Sequence, residues 1–180
     1  RAAARLLAGR VGVALDPTAL YETVLDADES SADRIACLRQ FARSGDDRID
    51  AAITSALESG DPGLRAEARA QLFERDETAG LESLLEATRT GAVIERQRAI
   101  TGLSGIDDDR ATARIRTLAT ETFAEDGLGS AVAVEVREAA MISGDPEVVA
   151  MAREWDARAD ERIEPWSIAM EGGDPAAGAF

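Results

Sequence analysis

The 180-residue chain contains no histidine, and Cys37 is its one cysteine. Without histidine, these residues cannot build a Ser-His-Asp or Cys-His catalytic arrangement, a haem site with CxxCH and an axial histidine, or an ordinary zinc site. A single thiol cannot form an internal disulfide. With no imidazole to activate it, Cys37 reads as a small buried hydrophobe in an apolar stripe. Lysine is absent too, so all 20 cations are Arg, set against 35 acidic residues for a net charge of -15. A surface of that sign repels phosphate backbones and anionic membranes, which argues against nucleic-acid binding. It fits either a solubility or high-salt adaptation or an acidic surface that attracts a basic partner. Aromatics are 4% of residues, so the core must be built from Ala, Leu, Ile and Val, which favours packed helices over a sheet. No run of 18 or more apolar residues exists to span a bilayer, no signal segment opens the chain, and no GxxxxGK[ST] or GxGxxG loop cradles phosphate. The chain opens on Arg1 rather than Met, which raises the expectation that it is an excerpt of a longer protein.

What the chain does have is repetition. Phe41, Leu72 and Leu103 recur every 31 residues, and so do Ile53, Leu84 and Ile115. A polar series, Arg34, Arg65 and Arg96, keeps the same interval, as do Gly45, Asp76 and Asp107 at the break between two helical patterns. A fixed period in the range of about 20 to 50 residues, with helical patterns on both sides of a turn, is the mark of stacked helical hairpins. The expected fold is therefore all-α, an α-solenoid of antiparallel helical hairpins. Residues 1–30 form an irregular N-terminal helical unit, 31–160 the repeat array, and 161–180 a C-terminal linker.

Arg1 to Ala8 reads as the tail of a helix stopped by Gly9, and Asp16-Pro17 opens a short helix with Leu20, Tyr21, Val24 and Leu25 on one face. Asp26, Asp28 and Ser30 resemble the start of a calcium loop. The sixth and twelfth positions, however, carry Ser31 and Cys37 instead of Gly and Glu, so a solvated loop capping the next helix is preferred. The first unit, about Ser31 to Ser59, turns inward Ile35, Leu38, Phe41 and Ala42, stops at Gly45, and restarts with Asp46 or Asp47 as cap. The second, about Pro62 to Thr88, puts Leu64, Ala68 and Leu72 inward, then Leu81, Leu84 and Leu85. The third, about Ala92 to Phe123, uses Val93, Ile94, Gln97, Ile100 and Leu103, then Ile115, Leu118 and Ala119. Among Asp107, Asp108 and Asp109, one cap and two solvent-facing neighbours are expected in preference to a metal site. Glu125 to Ser130 breaks the interval before a fourth hairpin, Val132 to Ser143 and then Pro146 onward, which Trp155 and Trp166 would cap. The three arginines could form a ladder to the acidic caps of the neighbouring hairpin, or a solvated helix face; both readings stay open.

The paired-helix units with GDPGLRAEARAQL at Gly60 to Leu72 resemble HEAT-type repeats. The segment IERQRAITGLSGIDD, Ile94 to Asp108, followed by the irregular fourth hairpin and by EGGDPAAGAF, Glu171 to Phe180, resembles the helical-repeat segment of planctomycete-type haem-binding proteins. There such a segment joins a dehydrogenase-like β-propeller to a c-type cytochrome domain. Gly172, Gly173, Asp174 and Gly178 match the opening of the first cytochrome helix, although Phe180 follows Gly178 by two residues where four is usual. The resemblance implies an exported or periplasmic redox protein in which haem c belongs to a following domain and this segment binds none.

No catalytic, cofactor-binding or metal residue is assigned within the segment. The expected role is a non-catalytic scaffold or protein-interaction module whose Arg-rich first helices and Ala-rich second helices form its two surfaces. The partner would be a protein or neighbouring domains of the same chain, with no nucleic acid and no membrane insertion. One alternative is a helical domain that helps shape the cofactor or substrate site of an adjoining oxidoreductase domain; another is carboxylate catalysis in a groove of the array.

Overall fold

The computed structural model describes residues 16–124 and 130–163. Among them are nine helices and no strand: α1 Pro17–Leu25, α2 Ser31–Arg43, α3 Ile49–Leu57, α4 Pro62–Arg75, α5 Glu77–Thr90, α6 Val93–Leu103, α7 Asp109–Phe123, α8 Ala133–Ile142 and α9 Pro146–Ile163. The expectations for Arg1 to Ala8, for Trp166 and for the Glu171 to Phe180 motif lie outside the described residues, as does most of the Glu125 to Ser130 break.

Short polar residues start most of the helices. Asp16 accepts from the Thr18 N–H, Ser30 from Asp33, Asp61 from Gly63 and Leu64, Asp76 from Ala79, and Asp108 from Arg110. Each such cap is worth about 1 kcal/mol. Two starts differ. Arg48, not Asp46 or Asp47, holds the cap position of α3, and Asp46 instead accepts the Arg48 N–H a step earlier. At α6 the start residue is Ala92, which has no side-chain acceptor, and Glu95 reaches back to take its N–H. Gly45 and Gly144 adopt φ of 74° and 70°, left-handed conformations that close α2 and α8.

Extensive contacts join only helices one or two steps apart along the chain. Thus α2, α4, α6 and α8 touch in succession, as do α1 with α3, α5 with α7 and α7 with α9. The apolar core falls into two clusters. One gathers Leu20, Cys37, Leu38, Phe41, Ile53 and Leu64 from α1 to α4; the other gathers Leu84, Ile100, Leu103, Ile115, Val136 and Val148 from α5 to α9. Helix α4 serves both, with Leu72 packed on the first cluster and Phe73 on the second. Phe123 and Trp155 lie at 5.6 Å between ring centroids where α7 meets α9.

Two expectations change. Val93 and Ile94 are 47% and 38% exposed, because the inward stripe of α6 is Glu95, Ala99, Ile100 and Leu103. The other is the cap of α3, which is Arg48 where Asp46 or Asp47 was expected.

At the crossing of α4 and α5 the two backbones come close. A Cβ built on Gly80 would lie 2.2 Å from the Cα of Phe73, a distance no side chain can occupy. Gly80→Ala is therefore expected to force the two helices apart and lower stability by about 1–3 kcal/mol in urea unfolding. Gly60→Ala, with nothing within 4 Å of its Cβ position, is expected to leave the midpoint near that of the unaltered chain.

Candidate functional site

The polar joints between helices are made almost entirely by arginine. Between α4 and α6, Glu95 receives three guanidinium hydrogen bonds: from Arg65 Nε at 2.9 Å and Nη2 at 2.6 Å, and from Arg69 Nη1 at 2.6 Å. The second Nη of Arg65 donates to the Ser59 carbonyl at 2.7 Å, just past the end of α3. Glu95 is 2% exposed. The Arg65 hydrogen bonds hold its carboxyl at about 2 instead of 4.5, against the upward push of burial and with help from the Ala92 N–H and Arg69. Between α2 and α4, Arg39 donates to Glu67, which also accepts from Gln71. Arg75 bonds Asp50, Arg114 bonds the hydroxyl and carbonyl of Thr88, Arg116 bonds Asp145, and Arg158 bonds the Phe123 carbonyl. Apart from Arg65 to Ser59, these arginine joints between helices span 25 to 35 residues.

The repeat positions noted in the sequence fall as follows. Phe41, Leu103, Ile53, Leu84 and Ile115 are buried, and Leu72 is half-buried. Arg34 is 9% exposed and donates to the Val24 carbonyl at 3.0 Å, near the end of α1. Burial pushes Asp61, the cap of α4, upward, but the Ser31 hydroxyl, the Leu64 and Gly63 N–H groups and the Arg34 charge bring it below its usual value. Arg65 meets Glu95 in the first turn of α6. Arg96 is half-buried, and its Nε has no hydrogen-bond partner among the described residues. Its charge, with that of Arg89, adds to the burial that pushes Arg114 down, while Glu121 opposes the fall. None of the three arginines lies on a solvated face.

Beside these joints runs an open groove of about 480 Å³ between α4 and α6, with α2 at one lip. Its α4 wall presents Gly63, Ala66, Glu67, Ala70, Phe73 and Glu74; its α6 wall presents Ile94, Arg98, Thr101 and Gly102, and Leu84 of α5 closes the floor. The walls run from residue 63 to 74 and from 94 past 105, about 16 Å at the rise of an α-helix. The cavity exists because small residues stand where bulk would fill it. Apolar walls with a few rim charges, in a volume of this size, are the usual character of a binding site. The two groove carboxylates are unlike an acid/base pair, since Glu67 is tied into Arg39 and Gln71 and Glu74 is solvent-exposed.

Among the described residues, no group of three or more His, Cys, Asp or Glu is arranged to hold a metal ion, and no helix is long and apolar enough to cross a membrane. Glu95, Glu67 and the groove were not singled out from the sequence. The signal for Glu95 was present: 95, 99 and 103 are spaced to place it on the same stripe as Ala99 and Leu103. Compared with known proteins, the chain matches no family model, no curated protein and no solved structure.

Because Glu95 is held below its unfolded value, its contribution to stability is full above about pH 4.5 and is lost as pH falls toward 2. Glu95→Gln is expected to destabilise the fold at pH 7 by about 3 kcal/mol, by leaving two guanidinium groups short of a charged partner. The gap to the unaltered chain should close between pH 4.5 and 2 in denaturant titrations. A gap independent of pH would show that the carboxylate charge is not what the joint uses.

Proposed function

We propose that the chain is a non-catalytic α-solenoid of HEAT-like hairpins that docks a protein partner or a neighbouring domain in the groove between α4 and α6. The observation that carries this is the groove itself: an open, apolar, helix-walled channel of about 480 Å³ on the layer formed by α2, α4 and α6. The solenoid reading draws support from the succession of contacts along each layer and from polar joints that reach about one repeat. A framework in which each unit leans only on its neighbours presents long regular faces, which suits binding and spacing. The likeness of Ile94 to Asp108 and of Glu171 to Phe180 to haem-binding multidomain proteins extends the proposal. In that setting the array is a spacer beside a c-type cytochrome domain of an exported protein.

Two experiments test this. A photo-crosslinking residue in place of Ala70, on the groove wall, is expected to capture a protein or a neighbouring domain in cells that express the chain; the same residue at Thr117, exposed on α7, is not. Equal capture at both positions, or none at Ala70, contradicts a docking groove. For the redox setting, the coding sequence after Phe180 is expected to contain CxxCH within a few dozen codons. Its absence removes the cytochrome link and leaves the docking proposal standing.

A further inference from the structure

The groove is electrically polarised along its length. At one mouth the groove is lined by Glu74, in the last turn of α4, and by Ile106, past the end of α6; Asp76 and Glu77 follow the first of these in the chain, and Asp107, Asp108 and Asp109 the second. Asp108 is neutralised by Arg110, and Arg75 is taken up by Asp50. Glu74, Asp76, Glu77, Asp107 and Asp109 are exposed and form no ion pair among the described residues. At the other mouth the lining is apolar, made by Ile35, Gly63 and Ile94. The whole chain adds a net charge of -15, which draws cationic groups toward it and raises their rate of encounter.

The shape narrows the occupant further. The walls are two helices side by side, and the small residues Gly63, Ala66, Ala70 and Gly102 let another backbone come near. Packed helices lie about 8–10 Å apart between axes depending on the side chains at the crossing, and small ones give the closer approach. The length of about 16 Å accommodates roughly three turns of a third helix. An extended strand would find little to pair with, because the backbone of α4 and α6 is already bonded within each helix.

We propose that the groove takes a cationic amphipathic helix of a partner protein. Its apolar side lies on Ala66, Ala70 and Phe73, and its Arg or Lys residues sit at the Glu74–Asp107 mouth. This rests on the docking reading above and adds the chemistry and direction of the occupant. Arg98, exposed on the α6 wall about midway along, offers a site for one acid in the middle of the same helix.

The test uses the full chain and a fluorescein-labelled Leu/Ala amphipathic helix of about four turns, with arginines clustered at one end, followed by fluorescence anisotropy. A second peptide carries glutamates in their place. The cationic peptide is expected to bind at least about tenfold more tightly than the acidic one. Ala70→Trp, a change at an exposed wall position that fills the groove, is expected to weaken the cationic peptide by about tenfold or more, with the melting curve unchanged. Glu74→Arg combined with Asp107→Arg is expected to reverse the preference between the two peptides. Equal binding of both peptides, or binding indifferent to Ala70→Trp, overturns the proposal, the latter because net charge alone would then hold the peptide. If neither peptide binds while crosslinking at Ala70 succeeds, the occupant has another chemistry and this inference fails alone. If both fail, the docking reading goes with it.

Discussion

Short reach is the constraint on which this structure depends. Each helix is apolar on one side, and extensive contact extends no further than two helices along the chain. The apolar stripe of α4 cannot be covered by α8 or α9; it must be covered by α2, α3, α5 and α6. A helix of 9 to 18 residues is marginal in water by itself, so each becomes stable only when its neighbours are in place. The two apolar clusters meet at α4, which makes the Gly80 crossing and the Glu95 joint the places where the two clusters are coupled.

Arginine supplies the polar side of that coupling. A buried carboxylate is costly unless its oxygens are fully used, and Glu95 uses both, on two guanidinium groups and the Ala92 N–H. Lysine could not reproduce the geometry, since a guanidinium offers paired donors in a plane while an ammonium is a point charge. The same fork lets Arg65 hold Glu95 and the Ser59 carbonyl at once, tying the end of α3 to the start of α6 through α4. Beside these joints, the groove stands out because it is apolar, open and flanked by carboxylates that form no ion pair among the described residues.

The all-helical character was legible before any coordinates, because apolar residues recur at helical spacing, and Phe41, Ile53, Leu84, Leu103 and Ile115 are buried. Caps at Asp16 and Asp61 were legible because a short acidic side chain directly before Pro has few other uses. The groove was not, since a cavity arises from what Gly63, Ala66, Ala70 and Gly102 lack, and small residues in a helix are equally consistent with tight packing. Val93 and Ile94 misled because apolar character by itself does not choose a face when a paired Glu95 takes the inward position. The Arg series was legible as a repeat but not as chemistry: Arg34 ends on a backbone carbonyl, Arg65 on a carboxylate, and Arg96 on neither.

The account stands on contacts that reach only to near neighbours, and residue-resolved native-state hydrogen exchange reads that reach directly. Val148 is fully buried in the cluster formed by α5 to α9, and Val148→Ala opens a cavity there worth about 2 kcal/mol. The prediction is faster exchange in α7, α8 and α9 with unchanged protection in α1, α2 and α3. An equal loss of protection through all nine helices would show one indivisible core and contradict the account.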